Sequence, residues 1–328
     1  MLTDVLAYKT MLKSVANQLN QMPLHELDTN TVLLNEAFIL CYEAKLFDLH
    51  SYEPSLQDEL KLALFSALCP LSGSLAFLTV QILAANRIMQ SNDFTLAQSY
   101  YQKRCGIIIN HLRAPKTVIS AEMSENGYAL SGKLRWASGY KIFDTLVVGF
   151  HYEGEEMQAV MPFKEEVGCE ISLPDETFVG VSMNTVMINL DKYNIPKENI
   201  INSQSIGFYT QQKSISKTVH YALYGIGLGA ISVIDDEEIK STATRKLEAI
   251  KAEFNTTKIA TRMDHLRIEL FNLIQETITV GMVLDGGKSI LITQTLQRYY
   301  RELIMFNSNG LNSTIKALYK NAFLKNNS

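Results

Sequence analysis

Trp136 and Ser138, two residues apart, close the stretch Gly127-Tyr-Ala-Leu-Ser-Gly-Lys-Leu-Arg-Trp-Ala-Ser-Gly139, which contains the only tryptophan of the chain. An indole offers a flat apolar wall and one N–H that wants a partner, and a hydroxyl beside it offers a proton to a polar edge. Taken alone, the pair reads as a packed strand aromatic and a turn serine. Upstream, Asn110, His111 and Arg113 put an amide, an imidazole and a guanidinium into a strand-rich stretch. A single histidine is more often a hydrogen-bonded structural residue than a proton carrier, and His111 stands out only through its expected closeness to Trp136. Gly286-Gly287 permits close backbone approach to a cofactor or a facing helix, and serves equally as a helix C-cap after Leu284-Asp285. Gly225-Ile-Gly-Leu-Gly229 sits inside a helical period with no strand before it, so it is a small-residue helix face and not a dinucleotide loop. Cys41, Cys69, Cys105 and Cys169 have neither zinc-ligand nor disulfide-framework spacing, which fits a reducing cytoplasm.

The elements that must position these residues change texture twice. Up to about residue 103 the apolar residues recur at helical spacing, as in Leu33, Leu34, Ala37, Phe38 and Cys41, then Leu75, Leu78, Ile82 and Ala85 with Ser74 as a cap. From Cys105 to about residue 203 short β-branched and aromatic runs alternate with the turns Glu125-Asn-Gly127 and Glu153-Gly-Glu155, predicting an antiparallel barrel or sandwich. Beyond that the helical period returns, with one face from Ile215 to Val233 and others through Leu247–Ile274, Leu291–Phe306 and Thr314–Leu324, as a helical bundle requires. The chain has 328 residues, enough for two or three domains. A net charge of −4 gives no electrostatic reason to expect nucleic acid. The uncharged run Leu62–Ala85 is long enough to span a bilayer, but Cys69-Pro70-Leu-Ser-Gly73 breaks it and predicts a buried hairpin instead. No secretory leader pattern opens the sequence.

Gly127–Gly139 together with Val181-Ser-Met-Asn-Thr-Val-Met-Ile-Asn-Leu-Asp-Lys-Tyr-Asn-Ile-Pro-Lys-Glu-Asn-Ile200 resembles the central β-domain of acyl-CoA dehydrogenases and their flavin-dependent monooxygenase relatives. The α, β, α order is also that family's order. The resemblance implies an α+β fold with a helical N-terminal domain (1–103), a central antiparallel β-barrel (104–203) and a C-terminal four-helix bundle (204–328). It implies FAD or FMN between barrel and bundle, with Trp136 against the flavin ring, Ser138 facing its N5 edge, Asn110 near its carbonyls and Gly286-Gly287 at a further cofactor contact. It further implies a homodimer or homotetramer and a small-molecule or acyl-thioester substrate.

Several family features are missing. The flavin strand motif is replaced by Ile109-Asn-His-Leu-Arg-Ala-Pro115, and the Gln before the paired glycines by Val283. Glu238–Arg245 stands where the family's Arg-x-x-Phe-Gly segment would be, so weak or absent flavin binding stays open. The two places at which the family carries its glutamate base align with Gly310 and Lys217. The resulting expectation is a flavin-dependent oxidoreductase without the usual Glu base, possible as a monooxygenase-type reaction that abstracts no substrate α-proton, with Ser138 and His111 as the polar groups near the reacting edge. The alternative is a non-catalytic binding or scaffold homologue. A dehydrogenase with a base elsewhere would look first to Glu276 or Glu302.

Overall fold

The structure, a computed structural model, describes residues 5–114, 116–173, 176–211, 216–308, 311 and 313–326. Five helices come first: α1 (Val5–Leu19), α2 (Thr31–Glu43), α3 (Pro54–Leu68), α4 (Gly73–Ser91) and the short α5 (Ala97–Tyr101). Their ends follow from local chemistry. Asn30 caps α2 by accepting from Val32 and Leu33 N–H, and Pro54 opens α3 where its missing N–H costs nothing. The α3–α4 break falls at the expected Pro70 turn, but the cap of α4 is Ser72, whose hydroxyl accepts from Leu75 N–H, and not Ser74. No helix among the described residues is long and apolar enough to cross a membrane.

Eight strands follow: β1 (Cys105–Ile108), β2 (Ile119–Ser124), β3 (Gly127–Ala137), β4 (Thr145–Tyr152), β5 (Glu155–Pro162), β6 (Cys169–Ser172), β7 (Val186–Pro196) and β8 (Ile200–Ser205). They form one open mixed sheet in the order β6-β7-β3-β2-β4-β5-β8, with β1 paired to β4. This corrects the expected closed antiparallel barrel. β1 and β2 both run parallel to β4, one after the other along the same side, and are separated by a 3-10 turn at Asn110–Arg113. The chain returns to β4 through β3, which is itself a strand, so no crossover helix betrays the parallel pairing in the sequence. The Glu153-Gly154 hairpin is as expected: both residues have positive φ, 45° and 83°, as a two-residue turn of this kind demands.

The sheet is covered on both faces, which is why Thr145–Phe150 is buried without alternation. Leu146, Val148 and Phe150 join the main core shared with the helices, whereas Val147 packs with Met89, Leu112, Val160 and Ile201 on the other face. Each such fully buried side chain contributes roughly 1.5–3 kcal/mol. After β8 come α6 (Phe208–Gln211), α7 (Thr218–Ser232), α8 (Glu237–Thr256), α9 (Ala260–Asp285), α10 (Thr295–Ser308) and α11 (Ser313–Asn326). α7 packs on α3, α8, α9 and α10. Its glycines make that possible: a Cβ on Gly225 would stand 2.4 Å from the Phe65 carbonyl oxygen, and one on Gly229 would stand 2.5 Å from the Tyr299 hydroxyl. The small-residue face therefore lies inside the molecule.

Candidate functional site

β3 pairs with β7 through two irregularities, the second between Leu134 and Ala137. Trp136 lies in that bulge with φ at 69°, a left-handed conformation that costs a bulky L-residue roughly 1–2 kcal/mol. Burial does not offset this cost, because Trp136 is 66% exposed. The strand aromatic is thus presented outward while its neighbours Leu134 and Ala137 are fully buried. Ser138 is buried, and its Oγ lies 2.9 Å from Oγ1 of Thr185. One hydroxyl donates to the other in this pair, which leaves one of the two protons to be given to a third group. Behind it, Gly139 N–H donates to the Met183 carbonyl at 2.7 Å, and Phe143 fills the space in which a Cβ on Gly139 would sit.

His111 sits on the 3-10 turn between β1 and β2, and its Nε2 donates to the Gly149 carbonyl of β4 at 2.7 Å. Gly149 is bare because Leu112 occupies the place of its side chain, 2.7 Å from where a Cβ would be. Burial lowers the His111 pKa, against the Gly149 bond that raises it, and nearby His151 lowers it further. Asn110 beside it is exposed, and Arg113 lies over the Tyr209 ring with 5.8 Å to its centroid. The registers Gly132↔Ile119, Ser131↔Ser120 and Ser120↔His151 put Trp136 about three residues, roughly 10 Å, further along the sheet than His111. The structure does not bring His111 and Ser138 together as a pair.

Gly286 ends α9 with φ at 69°, and open space surrounds it and Gly287. The C-cap reading thus holds for Gly286, while the backbone stays accessible beside the exposed Val283 and Leu284. Lys217 lies 3.6 Å from Asp58 and donates to the Asn255 carbonyl at 2.9 Å. Gly310 and Ile215 lie outside the described residues. Of the two alternative carboxylates, Glu276 is exposed on α9, and Glu302 is fully buried. Glu302 Oε1 accepts from Gly73 N–H at 2.8 Å and lies 3.5 Å from Arg298, its other oxygen being buried without a partner. Burial pushes its carboxyl above the ordinary range, with Arg298 and the Gly73 N–H pulling the other way.

Two polar groups escaped the sequence reading. Glu156, buried on β5, accepts from Gly207 and Tyr209 N–H at 2.8 Å each, and Gln158 bonds Tyr209 and Asn202. Glu156 and Gln158, at alternate positions beside the apolar Met157, Ala159, Val160 and Met161, were the available signal. The second group is Asp28 with Arg301, 2.5 Å apart, whose partners are 273 residues distant in sequence. Among the described residues no cluster of three His, Cys, Asp or Glu could hold a metal ion.

No family model matches the chain, and no curated protein matches it in sequence. Solved structures do match in fold. Glutaryl-coenzyme A dehydrogenase in complex with glutaryl-CoA superposes with a TM-score of 0.76 at 14% identity, over 95% of this chain and 93% of that one. KijD3 in complex with FMN and a dTDP-sugar gives 0.76 at 14% identity, over 97% and 94%. The nitrososynthase from Micromonospora carbonacea var. africana gives 0.74 at 13% identity, over 96% of each chain. The residues at the β3 exit fit a flavin ring in their chemistry: an outward indole held at a strained backbone position, and a hydroxyl pair with a proton to give.

Proposed function

We propose that this chain, which has the acyl-CoA dehydrogenase-like fold, is a flavin-dependent oxidoreductase that does not abstract a substrate α-proton with a carboxylate. The observation that carries the reading is Trp136: a left-handed backbone and a mostly exposed ring, at the bulge next to Ser138 and Thr185. Strain that no burial repays points to a ligand or partner that uses the exposed face. A bound flavin would supply hydride or oxygen chemistry at its N5 edge. Trp136 would wall one face of the ring and exclude water from it. The Ser138–Thr185 pair would donate its spare hydrogen bond to the ring edge, with the Gly139–Met183 bond bracing it from behind. Gly286-Gly287 leaves backbone accessible to the rest of the cofactor or to a second copy of the chain.

Three observations support the absence of a carboxylate base. Lys217 is engaged by Asp58 and Asn255, Glu302 is sealed between Gly73 and Arg298, and Glu276 faces solvent on α9. A monooxygenase-type reaction needs no such base, and losing one costs a dehydrogenase about a hundred- to ten-thousandfold in rate. The competing reading is a binding or scaffold protein that retains the fold. It is favoured by His111, whose proton is already given to Gly149.

The test is titration with FMN and FAD, following flavin absorbance and the fluorescence of the single tryptophan. Saturable quenching supports the flavin reading, and an unchanged signal with colourless protein replaces it by the scaffold reading. Anaerobic mixing of the loaded protein with acyl-CoAs should leave the flavin oxidised, and rapid bleaching would overturn the missing-base proposal.

A further inference from the structure

The turn that backs the β3 exit is bolted from two sides. Gly180 and Asn184 both have left-handed backbones, with φ at 69° and 47°, and enclose the single 3-10 turn Val181–Met183. On one side this turn grips the exit of β3: Met183 accepts from Gly139 N–H at 2.7 Å, and the Asn184 amide donates to the Tyr140 carbonyl at 3.1 Å. The next residue, Thr185, is the hydroxyl partner of Ser138. On the other side the turn is held by the helical layer. Gly180 N–H donates to Asp28 Oδ1 at 2.7 Å, and the Ser182 hydroxyl donates to the Leu27 carbonyl at 2.6 Å.

Asp28 is the junction of these restraints. It is 2% exposed and lies on the short 3-10 segment Leu24–Asp28, before α2. Its Oδ1 also accepts from the Ser74 hydroxyl at 3.1 Å, in the first turn of α4. Its Oδ2 pairs with Arg301 of α10, and the same Arg301 Nη1 donates to the Phe178 carbonyl at 3.0 Å, two residues before Gly180. One carboxylate therefore ties α4, α10 and the 178–184 segment together. A buried carboxylate has four lone-pair sites, and three donors here fix its orientation, so the turn it holds has little freedom.

We infer that Asp28 is a positioning residue for Trp136 and Ser138, acting through the Gly180–Asn184 turn. It touches neither side chain. It sets the backbone against which the strained bulge and the hydroxyl pair are braced, and so keeps the indole at one angle while its ring stays exposed. The consequence for flavin binding rests on the reading proposed above, whereas the consequence for the indole does not.

The experiment uses Asp28→Asn, which keeps an acceptor for Gly180 but loses the charge facing Arg301, and the milder Ser182→Ala, with Leu64→Ala in the core of α3 as a destabilised control. Emission maximum, anisotropy and acrylamide quenching of Trp136 are read in each full-length protein under conditions where circular dichroism reports it folded. Asp28→Asn and Ser182→Ala should lower the anisotropy and raise the quenching, and flavin affinity should fall roughly tenfold in Asp28→Asn. Leu64→Ala should lower the melting temperature with the indole signals unchanged. Wild-type indole signals in folded Asp28→Asn and Ser182→Ala would overturn the proposal, and Ser182→Ala decides if Asp28→Asn does not fold. If wild-type protein binds no flavin, the flavin reading fails, and the indole measurements still decide the role of Asp28.

Discussion

Two regions of the sheet, around His111 and around Trp136, turn out to be opposites, although both lie at interior strands. Around His111 most polar groups have found a protein partner: His111 bonds Gly149, Glu156 bonds two backbone amides, and Gln158 bonds Tyr209 and Asn202, while Nδ1 of His151 stays buried without one. At the end of β3 a large aromatic stands outward on a strained backbone, and a buried hydroxyl pair retains a hydrogen-bond donor to give. Polar side chains that close on themselves build structure, because leaving them unpaired would cost more than the bonds return. Strain and exposure retained around Trp136 are what a binding surface requires. Residue type alone did not separate the two cases, since a histidine looks more chemical than a tryptophan.

The largest effect that would break this contrast is at Glu156. Replacing it by alanine strips two part-buried amides of their acceptor, which should cost roughly 2–4 kcal/mol in urea denaturation. If the region around His111 and Glu156 is purely structural, the emission of Trp136 should not move in the folded variant. A shift in that emission would mean that the two regions are coupled and the contrast is false.

Trp136→Gly tests the other region and should have the reverse signature. Glycine accepts a left-handed backbone, so relieving the strain should raise stability by about 1 kcal/mol. Flavin affinity, followed by flavin absorbance, should fall about tenfold through the lost stacking. A destabilised Trp136→Gly would show that the exposed ring supports the fold and would remove the main argument for a ligand. Ser138→Ala should cost about 1 kcal/mol, because the Thr185 hydroxyl is left buried without its partner. Its flavin affinity should weaken as well, and an unchanged affinity would take the hydroxyl pair out of the site.

The sequence displayed the strands of this sheet well where local chemistry decides them. The β4 run and its Glu153-Gly154 turn could be read directly, and so could the α3–α4 break at Pro70. Closure of the sheet could not be read, because β1 and β2 share one side of β4 through a 3-10 interruption that resembles an ordinary loop. Trp136 was visible as a residue, but its exposure was not: that depends on a bulge set by the β3–β7 register, which pairs residues about fifty positions apart. Asp28 was invisible for the same reason, since nothing in Leu24-His-Glu-Leu-Asp28 signals an arginine on α10. Family motifs located the β3 exit correctly as a place to look, and long-range pairing determined what is there.

The smallest expected effect is a pH slope in the region around His111. His111 in the folded protein has its pKa lowered, chiefly by burial, whereas in the unfolded chain it returns to the ordinary histidine value near 6.5. Between those two values the unfolded chain binds more protons than the folded one, so stability rises with pH there. The contribution is fully present above about pH 6.5 and is lost as the pH falls toward the folded value. His220, pushed down to about 4 by burial, acts in the same direction, so the total acid sensitivity of the wild type is not diagnostic. The difference between wild type and His111→Gln is diagnostic, because His220 is common to both and the glutamine amide can still donate to Gly149. Denaturation midpoints taken from pH 7.5 down to pH 5 should show a shallower slope in His111→Gln. Identical slopes would mean that the imidazole takes up its proton as readily in the folded protein as in the unfolded chain. His111 would then have to be counted with Trp136 among the groups open to a ligand.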